Sequence, residues 1–98
     1  MVTPLFTFTP DTVISSTQNQ ISSELAGEAV ILNLSSGVYY GLNAVGARVW
    51  EIIQQPKRFG EVLEILLEEY DVQPEACGED LEKILRELMA TDLVKIES

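Results

Sequence analysis

"AVILNLSSGVYYGLNAVGARVWEII", residues 29 to 53, changes its period half-way, and that change decides the fold. Glu28 to Leu34 is a nearly continuous apolar run of strand length. Ser35-Ser36-Gly37 is a short loop containing glycine, the usual signal for a hairpin with a bulge or a three-residue turn. Val38 to Leu42 returns as a strand, with Val38, Tyr40 and Leu42 on one face and Tyr39 and Gly41 on the other. Asn43 ends that strand and can cap a helix, because its side-chain oxygen can accept from an N–H of the first turn. Val45, Val49, Ile52 and Ile53 then follow at i, i+4, i+7 and i+8, one helical face. Trp50 lies beside that stripe and is expected to plug the junction of helix and sheet. Pro56 closes the helix.

Upstream, Gln20 to Leu25 reads as a strand and Ala26-Gly27 as a turn, which makes residues 20 to 42 a three-stranded antiparallel meander. Residues 1 to 18 carry Pro4, Pro10 and a Ser/Thr-rich tract, and read as a loosely ordered N-terminal arm with room for one short strand. Residues 19 to 98 form the domain. Downstream, a second helix is predicted from about Arg58 to Tyr70, with Phe59, Val62, Leu63, Leu66 and Tyr70 on its apolar stripe. Asp71 to Pro74 breaks the chain, and Pro74 suits the first turn of a third helix. Leu81, Ile84, Leu85, Leu88 and Met89 give that helix its apolar face, with Gly78 a weak point near its start. A short final strand is expected over Leu93 to Ile96. The resulting fold class is α+β, a winged-helix-like domain in which a three-stranded antiparallel sheet is followed by three helices.

Ninety-eight residues at 46% hydrophobic make one domain with a real core. No apolar run approaches the ~20 residues that span a bilayer, and "MVTPLFTFTP" has neither the basic start nor the apolar stretch of a signal peptide. The expectation is a cytoplasmic protein with no membrane partner. One cysteine, Cys77, excludes an internal disulfide. Sixteen acidic residues against six basic ones give a net charge of −10, and thirteen of the acids lie in residues 51 to 98. Such a charge disfavours nucleic acid, whose binding rests on phosphate neutralisation by Lys and Arg. The third helix sets Lys83 and Arg86 against Glu75, Glu79, Asp80, Glu82 and Glu87, the wrong balance for a recognition helix.

The residues needed for chemistry are largely missing. The chain has no histidine, so His-based triads, general bases and metal sites are excluded. Cys77 shares the stripe of Leu81 and Ile84 and reads as a small packed hydrophobe. Glycines 37, 41 and 46 form neither a GxxxxGK[ST] nor a GxGxxG phosphate loop. Glu64, Glu68, Glu69, Glu79, Asp80 and Glu82 read as a solvated face. The chain is therefore read as a binding module, not an enzyme, with no cofactor and no metal.

The stretch quoted above resembles the PqqD-like proteins. Its apolar strand, glycine turn, aromatic strand and Leu-Asn-x-x-Gly entry to a Trp-bearing helix fall at Gly37, Tyr39, Tyr40, Leu42, Asn43, Gly46 and Trp50. "FGEVLEILLEEYDV" and "LMATDLV" continue the likeness, which covers roughly residues 20 to 96. The resemblance implies a precursor-peptide (RiPP) recognition element: a protein that binds the leader segment of a ribosomally made precursor and delivers it to a modifying enzyme. Stand-alone versions of this size resemble those of lasso-peptide clusters, where the partners are a transglutaminase-like leader peptidase and an ATP-dependent cyclase; others serve radical-SAM enzymes. The resemblance places the leader as an added strand on Val38, Tyr39, Tyr40, Gly41 and Leu42. The pocket wall is expected from Leu81, Ile84, Leu85 and Leu88 on the third helix. Two other classes stay open at this point, an acidic winged-helix adaptor for another protein and a nucleic-acid binder.

Overall fold

The computed structural model describes residues 8–97, in the order β1 (Val13–Ser16), β2 (Gln20–Leu25), β3 (Glu28–Asn33), β4 (Tyr39–Leu42), α1 (Ala44–Ile52), β5 (Lys57–Arg58), α2 (Phe59–Glu69), α3 (Pro74–Ala90) and β6 (Val94–Glu97). Strands β2, β3 and β4 form the expected antiparallel meander. Its first connection is a two-residue turn in which Ala26 (φ 56°) and Gly27 (φ 79°) are both left-handed, the signature of a type I′ turn. In the second, the Gly37 N–H donates to the Asn33 carbonyl at 2.8 Å with Gly37 at φ 71°, a conformation that only glycine adopts without strain.

A second sheet, in the order β5-β1-β6, was not foreseen. Its centre is β1, which holds the short strand allowed for in the arm, and β1 pairs antiparallel with β6 from Val13↔Glu97 to Ser16↔Val94. Ile14 in β1 is wholly buried, so these residues belong to the packed fold. Ahead of β1, the Gly60 N–H donates to the Pro10 carbonyl at 3.0 Å, and Phe8 stacks on Phe59 with ring centroids 5.3 Å apart. Residues 1 to 7 of the expected arm, and Ser98, lie outside the described residues.

The core draws Ile14, Ile31, Val49, Ile53, Val62, Leu66, Leu81, Leu85 and Leu93 from both sheets and all three helices. Trp50 joins it at the helix–sheet junction, and its Nε1 has no hydrogen-bond partner among the described residues. On α1, Val49, Ile52 and the following Ile53 are buried as their spacing predicts, and Ala47 and Trp50 join them, while Val45 in the first turn stays at the surface. Helix α2 buries Phe59, Val62 and Leu66 as its period predicts, with Leu63 and Tyr70 packed at the rim. Helix α3 runs unbroken past Gly78. Among the described residues no helix is long and apolar enough to cross a membrane.

Candidate functional site

Antiparallel hydrogen bonding determines what β4 offers. The Asn33 N–H donates to the Val38 carbonyl at 3.0 Å, so Asn33 and Val38 are a hydrogen-bonded pair. With Ile31 opposite Tyr40 and Ala29 opposite Leu42, the alternation of the ladder turns the backbone groups of Tyr40 and Leu42 toward β3. Those of Tyr39 and Gly41 point the other way, to an edge that no described strand covers. The side chains alternate too. Tyr40 and Leu42 pack against the core, whereas the Tyr39 ring is 68% exposed. Val38 precedes the strand and is exposed.

Asn33 ties this edge to α3. It is buried, its Nδ2 donates to the Thr91 carbonyl at 2.9 Å, and its Oδ1 accepts from the N–H groups of Ser35 (2.9 Å) and Ser36 (3.1 Å). The start of β4 is thereby held at the C-terminal end of α3. At the other end of β4, Asn43 caps α1 through its Oδ1, which accepts from the Gly46 N–H at 2.9 Å. Asn43 and Val45 there share a shallow depression with Asp80, Lys83, Ile84 and Glu87. The C-terminal end of α3 is thus tied to the turn before β4, and the residues just after β4 border the same depression as Ile84 of α3.

Helix α3 does not expose its whole apolar stripe. Leu81, Leu85 and Leu88 are buried in the core; of the four expected wall residues, Ile84 alone keeps surface. Periodicity identifies the stripe that leaves water, and here the chain itself consumes most of it. Two features not singled out from sequence take their place. Val45, 38% exposed in the first turn of α1, lines the same depression as Ile84. Both also line a small apolar cavity of about 100 Å³, whose wall includes Leu66, Tyr70, Cys77 and Leu81.

Cys77 in that wall is buried, and desolvation, with the nearby Asp80 carboxylate second, pushes its thiol above the ordinary range. It is thus a weak nucleophile. Arg48 on α1 donates through Nε to Glu69 Oε1 at 2.8 Å and also pairs with Glu51. The hydrogen bond from Arg48 holds the Glu69 carboxyl below its usual range. This links α1 to α2 at the surface. Among the described residues no cluster of three or more His, Cys, Asp or Glu is placed to hold a metal.

Two solved structures are similar over most of the chain. One is TbiB1 in complex with the TbiA(beta) leader peptide: 32% identity, TM-score 0.78, covering 83% of this chain and 94% of that one. The other is a lasso peptide synthetase B1 complexed with the leader peptide, at 18% identity and TM-score 0.74, covering 84% and 96%; at that identity the likeness is one of fold. No curated protein matches. The family model of coenzyme PQQ synthesis protein D (PqqD) matches residues 28–94, which take in β3, β4 and all three helices, and the chain accordingly belongs to the PqqD family.

Proposed function

We propose that this chain binds the leader segment of a ribosomally synthesised precursor peptide and presents it to a modifying enzyme, as a non-catalytic recognition element of the cytoplasm. The observation that carries this reading is the open edge of β4, where the Tyr39 and Gly41 backbone groups point away from β3 and meet no described strand; the reading places the peptide in a groove between that edge and α3. An extended peptide adds there as a fourth antiparallel strand, its backbone supplying affinity and its alternate side chains specificity. In this reading Val38, Tyr39, Tyr40, Gly41 and Leu42 form the receiving strand. Val45 and Ile84 meet apolar leader side chains, while Leu81, Leu85 and Leu88 set the position of Ile84 from below. The net charge of −10 favours a leader carrying Lys or Arg, chiefly through the association rate. The complexes of TbiB1 and of the synthetase B1 with leader peptides support the same class of ligand. The enzymes served are a transglutaminase-like leader peptidase and an ATP-dependent cyclase, as in lasso-peptide maturation.

The test is a titration of the isotopically labelled protein with the leader encoded beside it, followed by NMR. The expected result is saturable binding with the largest shifts at residues 38–42, Val45 and Ile84. Shifts confined to the acidic face of α2, with residues 38–42 unmoved, would refute the groove.

A further inference from the structure

The meander has a second open edge. Strand β2 forms its other margin, and no described strand pairs with it on the side away from β3. Since the Asn33 N–H faces β4, alternation along β3 turns the backbone groups of Leu32, Val30 and Glu28 toward β2. The Leu34 N–H, donating to the Asn19 carbonyl at 3.1 Å, keeps the same parity. Ile21, Ser23 and Leu25 therefore bond to β3, and the backbone groups of Gln20, Ser22 and Glu24 point outward. The space beneath is open as well. Helix α1 packs under β3 and β4. Ser22 and Glu24 share the inner face with Ile31 and Ala29, yet both are exposed, because β2 overhangs the core. Open edges are ordinarily guarded by proline, lysine, a bulge or an inward-pointing charge. Strand β2 has no proline, lysine or bulge, and its register with β3 runs unbroken from Gln20↔Asn33 to Leu25↔Glu28. Glu24 is its one charge, and any partner strand must accommodate it.

We infer that a second copy of this chain occupies the edge, its β2 running antiparallel to the first about a two-fold axis through Ser22. This register brings every outward residue into a hydrogen-bonded pair: Ser22 with Ser22 of the second copy, and Gln20 with Glu24 in both directions. A shift by two residues either way loses one of these pairs to the end of the strand. The register also answers the guard. Each Glu24 carboxylate meets a Gln20 amide instead of another carboxylate. The Gln20 Nε2 donates one hydrogen to the Thr17 carbonyl at 3.1 Å and keeps its other for that carboxylate. Ile21, 59% exposed, lies diagonal to its own counterpart across the axis, within side-chain reach. Against association stands a net charge of −10 on each copy. Thirteen of the sixteen acids lie in residues 51 to 98, whereas β2 supplies one, and repulsion between exposed charges is screened beyond about 10 Å at about 0.1 M salt. The dimer is therefore weak and strengthened by salt. It makes one six-stranded sheet with a β4 edge at each margin, so both β4 edges stay free whatever they bind.

The experiment is sedimentation equilibrium of the full chain across protein and salt concentrations, beside Ser22→Lys, Ser22→Val and Gln55→Lys, with circular dichroism to check folding. The expected result is a reversible monomer–dimer equilibrium that added salt tightens. Ser22→Lys sets lysine against lysine on the axis and should raise the dimer Kd about tenfold or more, although it makes the chain less negative. Gln55→Lys makes the same change in net charge at an exposed position in the loop before β5, and should leave the Kd unchanged or lower it. Ser22→Val pairs two β-branched side chains on the axis and should lower the Kd about threefold. If Ser22→Lys does not fold, Ser22→Pro gives the same reading, because it removes an outward donor and spares the β2–β3 ladder. A chain that stays monomeric at about 1 mM in high salt would overturn the inference. So would a dimer that Ser22→Lys and Ser22→Pro leave intact, since another surface would then hold it. Dissociation of the dimer by the synthetic leader encoded beside it would also overturn the inference, since the contact would then lie at the β4 edge.

Discussion

Proline at Tyr39 separates the open edge from the rest of the fold. Tyr39 opens β4, a strand position that tolerates proline, and its N–H points away from β3. Tyr39→Pro therefore leaves the β3–β4 ladder intact while removing one donor and placing ring carbons where an added strand would approach. The lost hydrogen bond is worth about 0.5–1.5 kcal/mol net, and the leader carbonyl left without a donor costs about 1–3 kcal/mol if it stays dry. Taken together, affinity should fall by about 1.5–4.5 kcal/mol, roughly tenfold to 2000-fold in Kd. The assay is fluorescence polarisation of a labelled leader, with thermal melting alongside to show that the fold persists. Two controls complete it. Tyr39→Ala changes the ring and keeps the N–H, so it should bind leader far better than the proline variant. Tyr40→Pro removes a donor aimed at β3 and should lower the melting temperature first. A folded Tyr39→Pro protein with unchanged leader affinity would refute strand addition at this edge.

Asn33→Ala removes three hydrogen bonds of a buried side chain and strands the Thr91 carbonyl; a loss of about 1–3 kcal/mol is expected, read as a fall in melting temperature, together with weaker leader binding because β4 and α3 lose their tie. Cys77→Ser should leave leader affinity within about a few-fold and cost modest stability for a hydroxyl in a partly apolar wall. Because burial raises the Cys77 thiol, its stabilising contribution is present below the ordinary thiol pKa and lost as pH rises through the raised value; maleimide labelling of the folded protein near neutral pH should accordingly be slow. The Glu69 carboxyl is depressed by Arg48, so its contribution is present above the ordinary carboxylate pKa and lost as pH falls through the lowered one. Arg48→Met should therefore flatten the acid side of the stability–pH curve, and an unchanged acid limb in chemical denaturation would contradict the assignment.

The meander and the three helices were legible because each is specified locally. An apolar run, a left-handed glycine and an Asn cap lie within twenty residues of one another and need no distant partner. Strand β1 was not legible as the centre of a sheet, since its partners Lys57–Arg58 and Val94–Glu97 lie some forty and eighty residues away. Strand β5 has two residues, too short for any alternation. The candidate site was half legible. Tyr39 and Tyr40 were correctly divided between the two faces of β4 by their parity. The stripe of α3 was read as apolar, but periodicity does not distinguish a wall open to a ligand from one spent on the core, and Leu81, Leu85 and Leu88 proved to be the latter. Val45 fits the spacing of Val49 and Ile52, yet it sits in the first turn of α1, beyond the reach of the core, and stays exposed.

The pairing of β1 with β6 carries a further consequence. Val13 lies opposite Glu97, so the start of β1 and the end of β6 run side by side. A module closed in this way can be spliced into a surface loop of another protein with little distortion of host or guest, and joined to a catalytic domain from either end with the same placement. Neither β4 nor α3 belongs to the β1–β6 pair, so such a join leaves the proposed peptide site untouched. Covalent tethering and free association are then two settings of one design, which differ in the effective concentration of peptide delivered to the active site.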